Sequence, residues 1–176
     1  MTEQKKTVLQ VDNLSIAFQM ANGKQTNVVD AVSFQVFEGE TLALVGESGS
    51  GKSVTSLAIM RLLQMPPARI TSGQILLNGT DLLQMKLDDM SGVRGNEMSM
   101  IFQEPMTSLD PVFKISSQLI EGIRRHQKVD KKEAFAIALS MLKEVGIANA
   151  EKVINEYPHQ LSGGMRQRVM IAMAMA

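Results

Sequence analysis

Apolar positions along the chain come first in short alternating runs and later at three- and four-residue spacing. TVLQV (Thr7–Val11), LSIAF (Leu14–Phe18) and VSFQVF (Val32–Phe37) are separated by the turn-rich pieces ANGKQTN and EGE. That alternation predicts an antiparallel strand region. TLALV (Thr41–Val45) is almost uniformly apolar, the pattern of a strand covered on both faces, as in a parallel sheet. SVTSLAIMRLLQ (Ser53–Gln64) then reads as a helix. After Pro66 and Pro67, GQILLNG reads as a strand and MSMIF (Met98–Phe102) as a second buried one, with a short helix in LDDMSGVRG between them.

From Ile115 the spacing changes. ISSQLIEGIRRHQ and KKEAFAIALSMLKEVGI place apolar residues three and four apart, which predicts two amphipathic helices. Gly146 is expected to close the second from the left-handed conformation that glycine tolerates best. YPHQLSGG leads into a last helix, MRQRVMIAMAMA. There is no internal repeat or low-complexity tract. The layout is one α/β domain: residues 1–105 form the β region and a phosphate-loop core, 106–160 a helical subdomain, and 161–176 a glycine motif with its helix.

Composition narrows the function classes. The 176 residues suffice for one buried domain. Eighteen basic and eighteen acidic side chains cancel, so no overall field points to nucleic acid or an anionic surface, and only local patches remain open. With no cysteine, disulfides and thiolate metal sites are excluded, and a reducing compartment is expected. No apolar run approaches the ~20 residues that cross a bilayer, so membrane association is expected to go through partner proteins. The fourteen methionines are scattered and read as adaptable core filler.

The strongest chemical signal is GESGSGKS: Gly46, Glu47, Ser48, Gly49, Ser50, Gly51, Lys52 and Ser53. It satisfies the G-x-x-x-x-G-K-[ST] pattern. The glycines let the backbone turn tightly and bring successive N–H groups to phosphate oxygens, and the following helix adds the positive end of its dipole. Lys52 would reach the β- and γ-phosphates, and the Ser53 hydroxyl would join the shell of a Mg²⁺ ion. The pattern also serves kinases, GTPases and motors. Gln103, after MSMIF, is placed at the carboxyl end of a buried strand, where open α/β sheets bind ligands, and its amide oxygen suits Mg²⁺ or a water. LSGGM, Leu161, Ser162, Gly163, Gly164 and Met165, is a second anion-binding helix start: Ser162 is a good N-cap, and the two glycines permit close backbone approach.

In this order, GESGSGKS, FQEP and LSGGMRQR resemble the Walker A, Q-loop and signature motifs of the ATP-binding subunit of an ABC transporter, a P-loop NTPase fold. EPMTSLDPV and YPHQLSGGMRQR are more narrowly similar to the ATPases of bacterial dipeptide and oligopeptide importers. The resemblance implies ATP and Mg²⁺ as cofactors. It also implies a second ATP-binding subunit, identical or related, whose signature motif faces the ATP held here. Transmembrane permease subunits would sit at the groove near Gln103 and the helical insert, with a solute-binding protein as an indirect partner and no nucleic acid. The expected location is the cytoplasmic face of the plasma membrane. Phe18 matches the family's adenine-stacking aromatic.

The family's Walker B strand, ending in Asp-Glu, has no counterpart here: no apolar run in the chain is followed by Asp-Glu. TSLD, Thr107 to Asp110, precedes the signature and is no substitute for the family's later D-loop. His126, in the basic stretch RRHQK, and His159, before the signature, are not placed to replace the switch histidine. The expectation is therefore a fragment of a longer transport ATPase that contacts nucleotide but turns it over poorly, with TLALV and MSMIF left with open edges. Two alternatives stay open: a non-enzymatic nucleotide-binding piece and a different P-loop phosphotransferase.

Overall fold

Two long strands carry the first part of the chain. The computed structural model describes residues 5–103 and 108–176, in two compact units divided between Met90 and Ser91. In the first unit, β1 (Thr7–Gln19), β2 (Gln25–Phe37), β3 (Ala68–Leu77) and β4 (Thr80–Asp81) form an antiparallel sheet in the order β2-β1-β3-β4. TVLQV and LSIAF are thus one strand, interrupted by a bulge. Asn13 has φ +46°, and the register shifts on both sides of it. The extra residue resets the alternation, so Val11, Leu14, Ile16 and Ala17 are all fully buried. Gly73 of β3 (φ +101°) makes the bulge possible: a Cβ there would lie 2.5 Å from Leu14 Cα and 2.7 Å from the carbonyl oxygens of Asp12 and Asn13.

Helix α1 (Lys52–Ile59) follows the glycine-rich loop and is shorter than the sequence pattern predicts. Its end is a left-handed turn without glycine. Arg61 has φ +53°, its N–H donates to Ala58 O at 2.9 Å, and the Leu62 N–H donates to Leu57 O at 2.8 Å, the two closing bonds of a Schellman motif. The guanidinium holds this turn by donating to the carbonyls of Leu82 and Met85. α2 (Met90–Val93) is the short helix expected in LDDMSGVRG.

The second unit is helical: α3 (Ile115–His126), α4 (Lys131–Glu144), α5 (Ala150–Val153) and α6 (Gly163–Met175), with a 3₁₀ turn at Pro158–Gln160. Its core is one apolar cluster that includes Ile115, Leu119, Ile123, Ala138, Leu142, Ile154, Leu161 and Val169. α3 has no side-chain cap; instead its first N–H groups donate to the Glu156 and Ile154 carbonyls at 3.0 and 2.8 Å. α4 starts with a capping box in which Asp130 and Glu133 each accept the other's N–H at 2.8 Å. It ends as expected at Gly146 (φ +75°), where the Gly146 and Ile147 N–H groups donate to Lys143 O and Leu142 O, both at 3.0 Å.

The parallel core is where structure and sequence reading part. Among the described residues, neither Thr41–Val45 nor Met98–Phe102 joins a sheet; Met98 makes only an isolated bridge to Arg94. Val45 is 88% exposed and Phe102 45% exposed. A doubly covered strand needs ladder partners at its edges and layers on both faces, and no described segment supplies them. Among the described residues the expected buried parallel strands are therefore not formed.

Candidate nucleotide site

The glycine-rich loop and its helix form a site within the first unit. Residues 41–50 are all exposed. Gly51, the N-cap of α1, has φ +88°, and a Cβ on it would stand 2.8 Å from the Val28 carbonyl oxygen of β2. This close approach fixes where the helix begins. No side chain caps α1, and its first turn holds no acidic residue, so the positive end of the helix is left uncompensated. Thr55 steadies this turn, with its hydroxyl donating to Gly51 O at 3.0 Å.

Lys52 folds back over the loop. Its Nζ donates to Gly46 O at 2.8 Å, Glu47 O at 2.7 Å and Ser50 Oγ at 3.2 Å. The cation is therefore held above the loop's own oxygens. Gly46 has no room for a side chain, because a Cβ would fall 2.7 Å from Ser50 Oγ, whereas Gly49 (φ +83°) faces open space. Main-chain N–H groups, one seated cation and an open helix start fit a polyphosphate. The exposed Ser53 hydroxyl fits a place in a Mg²⁺ shell. Phe18 is half-buried on β1, paired with Thr26 of β2, the strand whose Val28 touches Gly51.

The signature stretch lies in the second unit. Leu161 is buried as an anchor, and Ser162, Gly163 and Gly164 are exposed at the start of α6. Ser162 caps the helix, accepting the Met165 N–H at 3.3 Å, and nothing lies within 4 Å of a Cβ built on either glycine. Two arginines of the motif do work that sequence reading left unassigned. Arg166 Nε donates to Pro158 O at 2.8 Å and Leu161 O at 3.1 Å, bracing the approach to the cap. Arg168 Nη1 donates to the carbonyls of Val145 and Gly146 at 3.0 and 2.8 Å, tying α6 to the end of α4. Basic residues four and six positions past an N-cap were the only available signal.

Gln103 is exposed, in a bend and not at a strand end. Glu104, Pro105 and Thr107 lie outside the described residues, while Asp110 is tied to α3 through Gln118, whose amide accepts the Asp110 N–H at 2.9 Å. His126 packs at Gly95, where a Cβ would meet its Nε2 at 2.6 Å. His159 stacks on Tyr157 with ring centroids 5.6 Å apart.

Comparison with known proteins agrees with this geometry. The chain is 49% identical over 96% of its length to the Bacillus subtilis oligopeptide transport ATP-binding protein OppD. It is also 49% identical over 97% of its length to the Salmonella choleraesuis glutathione import ATP-binding protein GsiA. It spans only 47% and 28% of those two relatives. The dimeric structure of a bacterial ABC transporter cassette superposes over 96% of the chain with a TM-score of 0.82 at 25% identity. A second structure of that cassette, in a post-hydrolysis state bound to ADP and Pi, gives a TM-score of 0.83. The model of the ABC transporter family matches residues 29–176, and the chain belongs to that family.

Proposed function

We propose that this chain is the ATP-binding part of an energy-coupling subunit for import of di- or oligopeptides. The observation that carries the reading is Lys52, held over a glycine loop at the uncapped start of α1. Bound ATP supplies the phosphoanhydride whose hydrolysis drives transport in this family. The residues of this chain bind and orient it. The N–H groups of Gly46–Ser53 would cradle the phosphates, Lys52 would exchange its carbonyl partners for β- and γ-phosphate oxygens, and Ser53 would join the shell of Mg²⁺; the Gln103 amide is suited to a metal or water contact of its own. Phe18 stacks on adenine, a contact of ~1–3 kcal/mol for an exposed ring by analogy with base-binding platforms. Leu161–Met165 face the ATP of a second subunit across a head-to-tail sandwich. Permease subunits at the cytoplasmic membrane face receive the motion. The likeness to an oligopeptide transport and a glutathione import ATP-binding protein supports the cargo class.

No apolar run among the 176 residues is followed by Asp-Glu, the arrangement that would set a carboxylate on the attacking water, help that typically contributes 10²–10⁴-fold. Equilibrium ATP binding measured beside steady-state hydrolysis tests both halves. Binding with little turnover is expected. Brisk turnover unaffected by Lys52→Ala would sink the reading, and phosphoryl transfer to an added acceptor would favour a phosphotransferase.

A further inference from the structure

The last turn of α3, the loop after it and the first turn of α4 gather charge that the neutral whole-chain balance conceals. Arg124, Arg125, Lys128, Lys131 and Lys132 fall within nine residues, and all five are exposed. Among the described residues none of the five enters an ion pair. Three exposed acids, Glu121, Asp130 and Glu133, lie among them, so the five cations keep an excess of two positive charges. Arg124, Arg125 and Lys131 line an open groove of about 630 Å³ with Ser116, Ser117, Phe135 and one acid, Glu121, so its walls carry a net positive charge.

We infer that this surface binds the anionic lipid headgroups of a membrane. The groove joins cations to hydroxyl donors, the complement of phosphodiester oxygens. Apart from the Glu121 carboxylate it offers little else: its Ile120 is nearly buried and Phe135 half-buried. Protein interfaces concentrate affinity in a few desolvated anchors, whereas here the charges are spread, exposed and free to meet laterally mobile anions. Each Lys or Arg near an anionic surface strengthens binding about fivefold, and the effect fades beyond a Debye length.

The test uses the full chain without nucleotide, so its outcome is separate from the ATP-binding reading. Co-sedimentation is measured with vesicles of equal phosphatidylglycerol and phosphatidylcholine, and with phosphatidylcholine alone. Preference for the anionic vesicles, weakened by raising salt from 0.05 to about 0.5 M, is expected. The triple variant Arg124→Gln/Arg125→Gln/Lys131→Gln should lose about a hundredfold in partitioning, while Lys5→Gln/Lys6→Gln binds as the native chain does. Far-UV circular dichroism checks that the variants fold, and the salt titration of the native chain needs no variant. Equal binding to both vesicle types, or an unaffected triple variant, overturns the inference. Capture of a polyglutamate peptide in place of vesicles overturns it in favour of an acidic protein partner.

Discussion

Replacing Lys52 with alanine removes a cation whose three acceptors are all supplied by its own loop. In the free chain those bonds are made to two carbonyls and a hydroxyl, all neutral. In the proposed ATP complex they would be exchanged for anionic phosphate oxygens, so the expected affinity depends on the difference between the two sets. Hydrogen bonds to charged groups contribute about 1.5–3 kcal/mol against 0.5–1.5 for neutral pairs. Because the ammonium is charged in both states, the larger figure bounds the effect from above. The expected loss is therefore at most about 3 kcal/mol, up to roughly 150-fold in Kd. Isothermal titration with ATP reads this directly, and ADP provides an internal comparison because it lacks the γ-phosphate: the variant should lose more for ATP than for ADP. A Lys52→Ala chain that binds ATP within about twofold of native would refute the assignment. Such a result would mean that the lysine serves only to hold the loop closed.

Other substitutions test the scaffold. Gly73→Ala meets three backbone atoms of the β1 bulge and keeps a positive φ, so it should cost about 3 kcal/mol or more. Gly79→Ala, with a positive φ and open space, should cost only about 1–2 kcal/mol; equal urea midpoints for the two would count against the packing argument. Ser162→Ala removes the α6 cap and should destabilise the helical unit by about 1 kcal/mol, read by hydrogen exchange at Met165. The Glu151 carboxyl is held below its usual range chiefly by the Lys143 ammonium at 2.6 Å. Its tether is present above the usual carboxylate range and lost as pH falls through the depressed folded value. An NMR titration of Glu151 should therefore give a midpoint below the usual carboxylate range, and Lys143→Met should move it back toward that range.

Much of this architecture is legible in local pattern. The helical unit follows from three- and four-residue spacing, and the closure of α4 follows from Gly146, because backbone conformation and side-chain periodicity there agree. The α1 terminus was not legible. Its left-handed residue is Arg61, and the carbonyls of Leu82 and Met85 that hold its guanidinium lie more than twenty positions away. The bulge at Asn13 escaped for the same reason, since its necessity lies across the sheet in Gly73. TLALV and MSMIF show the opposite failure: apolar pattern reports what a segment is suited to pair with, not whether that neighbour is present. Spacing singled out the glycine-rich loop and LSGGM as candidates, while the inward seat of Lys52 and, in the helical unit, the bracing by Arg166 required coordinates.

The Arg168 link has a mechanical consequence. Its guanidinium spans from α6 to the last carbonyls of α4, and the same helix begins with the exposed Ser162–Gly164 turn. A load applied at that turn runs down a stiff rod riveted at its second coil, so the bundle should swing as a block instead of yielding at the glycines.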